Sequence, residues 1–230
     1  MLTPSADNHL DGLSYRVRRG PAFGPLVIML HGLGGDEHVM GIFERAVPEP
    51  FTVISPRAPI AIEPGMFPGY TDRGYSWLRS AFPADRSSLD TALDQMRRFV
   101  LAALDKYKLD RDRVFLMGFS QGAAISYALS LAEPHLIAGV IALAGFLPEV
   151  VPPSAVSLRR PVQDVAPRHG YLIIHGTDDQ TVPLLRAHQA RDFLRALGAP
   201  VEYHAYPIGH KVAPPGLKDI TRWLTSSLDH

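Results

Sequence analysis

Two hydrophobic periodicities alternate along this chain. Compact apolar runs at 26–30, 51–55, 113–117 and 139–143 have no polar face, so each predicts a strand buried on both sides of a sheet. Two further strands are expected at 171–174 and 201–206. Between these runs the apolar spacing lengthens to helical period. Leu89, Leu93, Met96, Val100, Ala103 and Leu104 form one stripe, and other helices are expected over 37–46, 121–133, 183–197 and 217–228. Pro134 and Gly198 supply stops for two of them. Strands alternating with helices imply an α/β fold, with a mainly parallel sheet covered on both faces and right-handed crossovers. A strand near 14–18 would add an antiparallel edge.

Two stretches break this rhythm. Residues 56–86 carry Pro56, Pro59, Pro64, Pro68 and Pro83 together with Phe67, Tyr70, Tyr75, Trp77 and Phe82. A connection that long and that aromatic predicts an ordered, functional loop. Residues 148–170 are also proline-rich but poor in aromatics, and read as a surface excursion.

At 230 residues the chain is expected to form a single domain spanning 1–230, large enough for a substantial core. Its 23 basic and 23 acidic residues cancel, and no run of like charge suggests a nucleic-acid or membrane-surface partner. With no cysteine, disulfides, thiolate catalysis and cysteine-ligated metals drop out. The first twenty residues lack the apolar core of a secretion signal, and the most apolar segment, 136–147, is too short to cross a bilayer. A cytoplasmic location without stable membrane insertion is the expectation. The oligomeric state is open, a homodimer being one arrangement.

The chemistry gathers where strands end, the side of a parallel sheet on which ligands bind. Behind the run 114–117 comes Gly118-Phe119-Ser120-Gln121-Gly122, the form of a nucleophile elbow: a sharp strand-to-helix turn that presents a serine between two residues without side chains. After 26–30 comes His31-Gly32-Leu33-Gly34-Gly35-Asp36, whose glycines allow close backbone approach and whose Leu33 N–H could face a developing oxyanion. It lacks the third glycine and the later acidic residue of a dinucleotide fingerprint.

A serine hydroxyl needs a base and an orienting carboxylate, which in elbow-type hydrolases follow it in the order acid, then histidine. Of ten histidines, His210 lies just past the last expected strand and is the best base. The carboxylate should follow the preceding strand, where Asp178 and Asp179 compete, and one of them could instead cap a helix or hold the turn. A metal centre from His31, His175 and Asp178 is remote, because no closely spaced histidine pair sits on an expected helix.

These pieces resemble, in order and across nearly the whole chain, the carboxylesterase, phospholipase and acyl-protein thioesterase group of α/β-hydrolases. The match runs through His31-Gly32-Leu33-Gly34-Gly35, Ser55-Pro56-Arg57-Ala58-Pro59, Gly118 to Ala124, Leu143-Ala144-Gly145-Phe146-Leu147-Pro148, His175-Gly176 through Val182-Pro183, and Tyr206 to His210. The family pattern His-Gly-x-x-Asp-x-x-Val-Pro implies that the triad acid is Asp179. The resemblance also implies an oxyanion hole from the backbone N–H groups of Leu33 and Gln121; the elbow geometry independently calls for a donor at Gln121. Many members carry Trp, an aromatic and then Asp, where this chain has Trp77-Leu78-Arg79. Phe67, Trp77, Phe146 and Val182 are the expected acyl-chain contacts.

The residues and the resemblance together lead to the expectation of a cofactor-free, metal-free serine hydrolase acting on small-molecule carboxylic esters through Ser120, Asp179 and His210. Thioesterase or lysophospholipase activity is the alternative, and a non-catalytic ligand-binding protein of the same fold is a distant third.

Overall fold

The computed structural model describes residues 8–67, 73–80, 86–148 and 167–228. A short hairpin opens the chain, β1 (Asn8–Leu10) with β2 (Leu13–Arg18). Then come β3 (Leu26–Leu30), a 3-10 helix (Val39–Ala46) and β4 (Thr52–Pro56). A two-residue pair, β5 (Ile60–Ala61) with β6 (Tyr75–Ser76), interrupts the long loop before α1 (Arg86–Tyr107). The rest alternates: β7 (Val114–Phe119), α2 (Gln121–Ala132), β8 (Gly139–Leu143), β9 (Tyr171–Gly176), α3 (Leu184–Ala196), β10 (Val201–Tyr206) and α4 (Pro214–Ser226).

Eight strands form one sheet in the order β1-β2-β4-β3-β7-β8-β9-β10. The run from β4 to β10 is parallel, whereas β2 joins β4 antiparallel, as expected for the N-terminal edge. β3, β4, β8 and β9 are buried throughout, which is why their sequences show no polar alternation. Side chains alternate between the two faces. Leu26, Ile28 and Leu30 pack with α1, α2 and α3, while Val27 and Met29 pack with the 3-10 helix and with Ile220, Trp223 and Leu224 of α4. α2 is the innermost helix, buried on all sides through Leu131.

Two expectations shift in detail. The segment 37–46 is a 3-10 helix starting at Val39, because Asp36 Oδ1 accepts the N–H groups of His38 (2.8 Å) and Val39 (3.2 Å) and Gly41 weakens α-helical continuation. α4 starts at Pro214 rather than 217, since proline is well suited to a first helical turn. The expected excursion at 148–170 falls almost wholly outside the described residues, as do Tyr70 and Phe82 of the aromatic loop. No described helix is long and apolar enough to cross a membrane.

Candidate active site

The elbow sits at the carboxyl end of the central strand. Ser120 has φ 53° and ψ −116°, a conformation rare for any residue with a side chain. Such a turn brings β7 and α2 so close that side chains at its two ends cannot fit. A Cβ on Gly118 would lie 2.3 Å from the carbonyl carbon of Gly122, and one on Gly122 would lie 2.0 Å from the Leu30 carbonyl oxygen. The Ser120 N–H donates to the Leu143 carbonyl of β8 (2.9 Å), which ties the turn to the next strand.

Asp179 and His210 meet beside it. The turn after β9 separates the two candidate acids: Asp178 faces solvent, whereas Asp179 is 4% exposed. Asp179 Oδ1 accepts the N–H groups of Thr181 and Val182, each at 2.8 Å, and Oδ2 lies 2.7 Å from His210 Nδ1. Burial opposes the charge on Asp179, but the His210 ring and the two amides together outweigh it and hold the carboxyl below its usual range. The His210 ring packs on Phe119, the residue before Ser120, with centroids 4.9 Å apart. Its loop is fastened to the β9 turn by Thr177 N–H to Tyr206 O (2.7 Å) and Asp178 N–H to Ile208 O (3.1 Å). Among the described residues no hydrogen bond joins Ser120 Oγ to His210, a contact that commonly tightens only with substrate.

Behind Asp179 lies His175, 1% exposed, which the sequence offered only as part of the family pattern and of a remote metal centre. Its Nε2 donates to the Val182 carbonyl (2.8 Å), and its buried Nδ1 has no hydrogen-bond partner. Burial holds this imidazole below its ordinary pKa, in the neutral form.

The loop after β3 lies against the serine. A Cβ at Gly32 would stand 3.3 Å from Ser120 Cβ. Among the described residues neither the Leu33 N–H nor the Gln121 N–H donates to any partner, and the latter opens α2 at the positive end of its dipole. The Leu33 segment is clamped on both sides. Gly34 N–H donates to Tyr75 O (2.9 Å) and Tyr75 N–H to Gly35 O (3.1 Å). Trp77 Nε1–H donates to His31 O (2.9 Å), while His31 Nδ1–H donates to Gly32 O (2.7 Å) and Nε2 accepts the Ala58 N–H (3.0 Å). Burial keeps the His31 ring neutral, which this donor and acceptor pattern requires. The Gln121 side chain adds a further tie, accepting the Trp77 N–H at 2.8 Å.

A charged brace completes the clamp. Arg57 Nε lies 3.4 Å from Glu37 Oε2, Nη1 donates to the Tyr75 hydroxyl (3.1 Å), and the guanidinium stands 4.7 Å from the Tyr75 ring centroid. Arg57 lies in the Ser-Pro-Arg-Ala-Pro stretch, so the signal was visible in the sequence but carried no role until its partners were in place.

The four expected acyl-chain contacts are dispersed. Trp77 is buried in the core on the α1 and α2 side, and Phe67 is buried as well. Phe146 and Val182 join Ala124 in a small buried cluster. None of the four lines the cavity of about 460 Å³ that opens beside His210. That cavity is walled by the 32–35 loop, Phe119, Val212 and the 3-10 helix, a segment the sequence marked only as helical.

Two clusters hold metal-ligating side chains within mutual reach, Asp36, Glu37 and His38, and Glu202, His204 and Asp219. Each already has an arginine partner: Arg57 sits on Glu37, and Arg222 bonds both Glu202 and Asp219. His31, His175 and Asp178 are not grouped as ligands among the described residues.

Comparison with known proteins agrees with this architecture. The chain is 28% identical over 210 residues to the probable carboxylesterase SOBER1-like of Arabidopsis thaliana, covering 86% of this chain and 77% of the relative. It is 27% identical over 226 residues to acyl-protein thioesterase 1 of Gibberella zeae, covering 88% and 90%. The fold matches the crystal structure of the Bacillus cereus carboxylesterase with TM-score 0.76 at 20% identity, over 94% of each chain. The family model described as Phospholipase/Carboxylesterase matches residues 20–228, so the chain belongs to that family of α/β-hydrolases.

Proposed function

We propose that the protein cleaves carboxylic esters of small molecules, with Ser120 as nucleophile, His210 as general base and acid, and Asp179 as the group that orients His210. The observation that carries this reading is the 2.7 Å contact from Asp179 Oδ2 to His210 Nδ1, beside a serine held at φ 53°. That contact keeps the proton on Nδ1 and frees Nε2 for chemistry.

In the first half-reaction Ser120 Oγ bonds to the acyl carbon as its proton passes to His210 Nε2. Charge on the carbonyl oxygen is met by the N–H groups of Leu33 and Gln121, neither of which has another partner among the described residues. The bond from the acyl carbon to the alcohol oxygen then breaks, and that oxygen takes the proton from Nε2. Water repeats the sequence in reverse roles and releases the acid.

Ser120→Ala is expected to lower kcat/KM on p-nitrophenyl butyrate by at least about 10⁴-fold with an unchanged circular dichroism spectrum. Wild-type activity in that variant would remove Ser120 from the chemistry. Thioester hydrolysis is the second reading, favoured by the name of the Gibberella relative. Paired rates on a butyryl thioester and its oxygen ester decide between the two.

A further inference from the structure

We propose that the cavity beside His210 is the leaving-group pocket of this enzyme and is shaped for a bulky, apolar alcohol. The proposal rests on the hydrolase reading above, in which His210 protonates the departing oxygen.

A general acid must come within hydrogen-bond reach of the atom it protonates, so the alcohol has to leave along the His210 side of the site. The cavity lies on that side, with His210 and the Leu33 loop both in its wall. Most of its remaining surface is apolar: Val39, Met40, Ile42, Phe43, Phe119 and Val212. Lys211 also lines it, at an exposed position, and among the described residues no carboxylate does. At about 460 Å³ it falls within the range of roughly 300–1,000 Å³ typical of small-molecule sites, and a fused aromatic ring fits.

Topology separates this space from the other apolar surface near the serine. The cavity is on the face of the sheet covered by the 3-10 helix and α4, since Met40 and Phe43 pack with that face. Ala124, Phe146 and Val182 belong to the start of α2, the loop after β8 and the turn before α3, and α2 and α3 pack on the opposite face. The two substituents of the acyl carbon therefore have different faces to occupy. Val39 and Ile42 stand at the mouth of the cavity, 45% and 72% exposed. Larger side chains there enter the opening without disturbing the core.

The test is a series at constant acyl group: ethyl, benzyl and 2-naphthylmethyl butyrate, whose alcohols are similar in acidity, so that rate differences report binding. kcat/KM is expected to rise at least about tenfold from the ethyl to the 2-naphthylmethyl ester. In Ile42→Trp, and independently in Val39→Trp, that ratio should fall about tenfold, through KM more than kcat. If the tryptophan variants instead change the ratio among ethyl esters from acetate to octanoate, the cavity holds the acyl chain and the assignment is overturned. A flat alcohol series from an enzyme whose Ser120 still reacts with a fluorophosphonate overturns the pocket but leaves the hydrolase reading standing. Neither labelling nor turnover of any ester would remove both.

Discussion

Ser120 occupies a backbone conformation that costs about 1–3 kcal/mol and persists only because the surrounding contacts leave no alternative. The neighbouring carboxylates show how finely position matters. Asp178 and Asp179 are identical in chemistry and adjacent in sequence, yet one is solvated and the other is bonded to His210 Nδ1. Asp179→Asn keeps an acceptor for the Thr181 and Val182 amides but no longer favours the Nδ1–H tautomer of His210. It should lower kcat by about 10⁴-fold, while Asp178→Asn stays within about threefold. Steady-state kinetics on both variants checks this, and equal losses would reject the assignment of Asp179. The residue pattern alone left the pair unresolved. The family pattern His-Gly-x-x-Asp-x-x-Val-Pro points to Asp179, and the structure adds the physical difference, a contact across 31 positions of sequence.

At the scale of elements, the site depends on a short strand that the hydrophobic pattern did not reveal. β6 has only two residues, yet Tyr75 is bonded to Gly34 and Gly35, and Trp77 to His31 and Gln121. These bonds hold the Leu33 loop between the core and the head of α2. Gln121 thus has two distinct parts, a backbone N–H without a partner among the described residues, which the proposed mechanism uses at the oxyanion, and a buried side chain that anchors β6. Gln121→Leu retains the first and removes the second, leaving the buried Trp77 N–H without its acceptor. Stability should fall by about 1–3 kcal/mol, read from the urea unfolding midpoint, and an unchanged midpoint would contradict the anchoring role. Of the aromatics in residues 56–86, Tyr75 and Trp77 lie among the described residues and make these bonds. Their partners were hidden because pairing of such short segments is decided by tertiary contact rather than by periodicity.

For the molecule as a whole, buried histidines couple stability to pH. His31 and His175 are both held below their ordinary pKa by burial, so the unfolded chain binds protons first as the pH falls. Their contribution is present at neutral pH and is lost as the pH drops below about 6.5. Asp179, whose carboxyl is held low, adds stability above about pH 3.9 that disappears only in stronger acid. The urea midpoint should therefore decrease from pH 7.5 to 5, and His175→Gln should reduce that decrease; a flat profile would show that the imidazoles are not buried neutral. The strand and helix series, the parallel sheet, the elbow turn and the histidine just past the last strand were all legible in the linear chain. They follow from local rules, since full burial erases polar alternation and a tight turn excludes side chains at fixed spacing. Only the tertiary structure decided which residues clamp the Leu33 loop and which apolar residues wall the cavity, and it supplied the contact between Asp179 and His210 that residue types without the family resemblance had left open. Those outcomes depend on distances between segments far apart in sequence, and no local pattern encodes such distances.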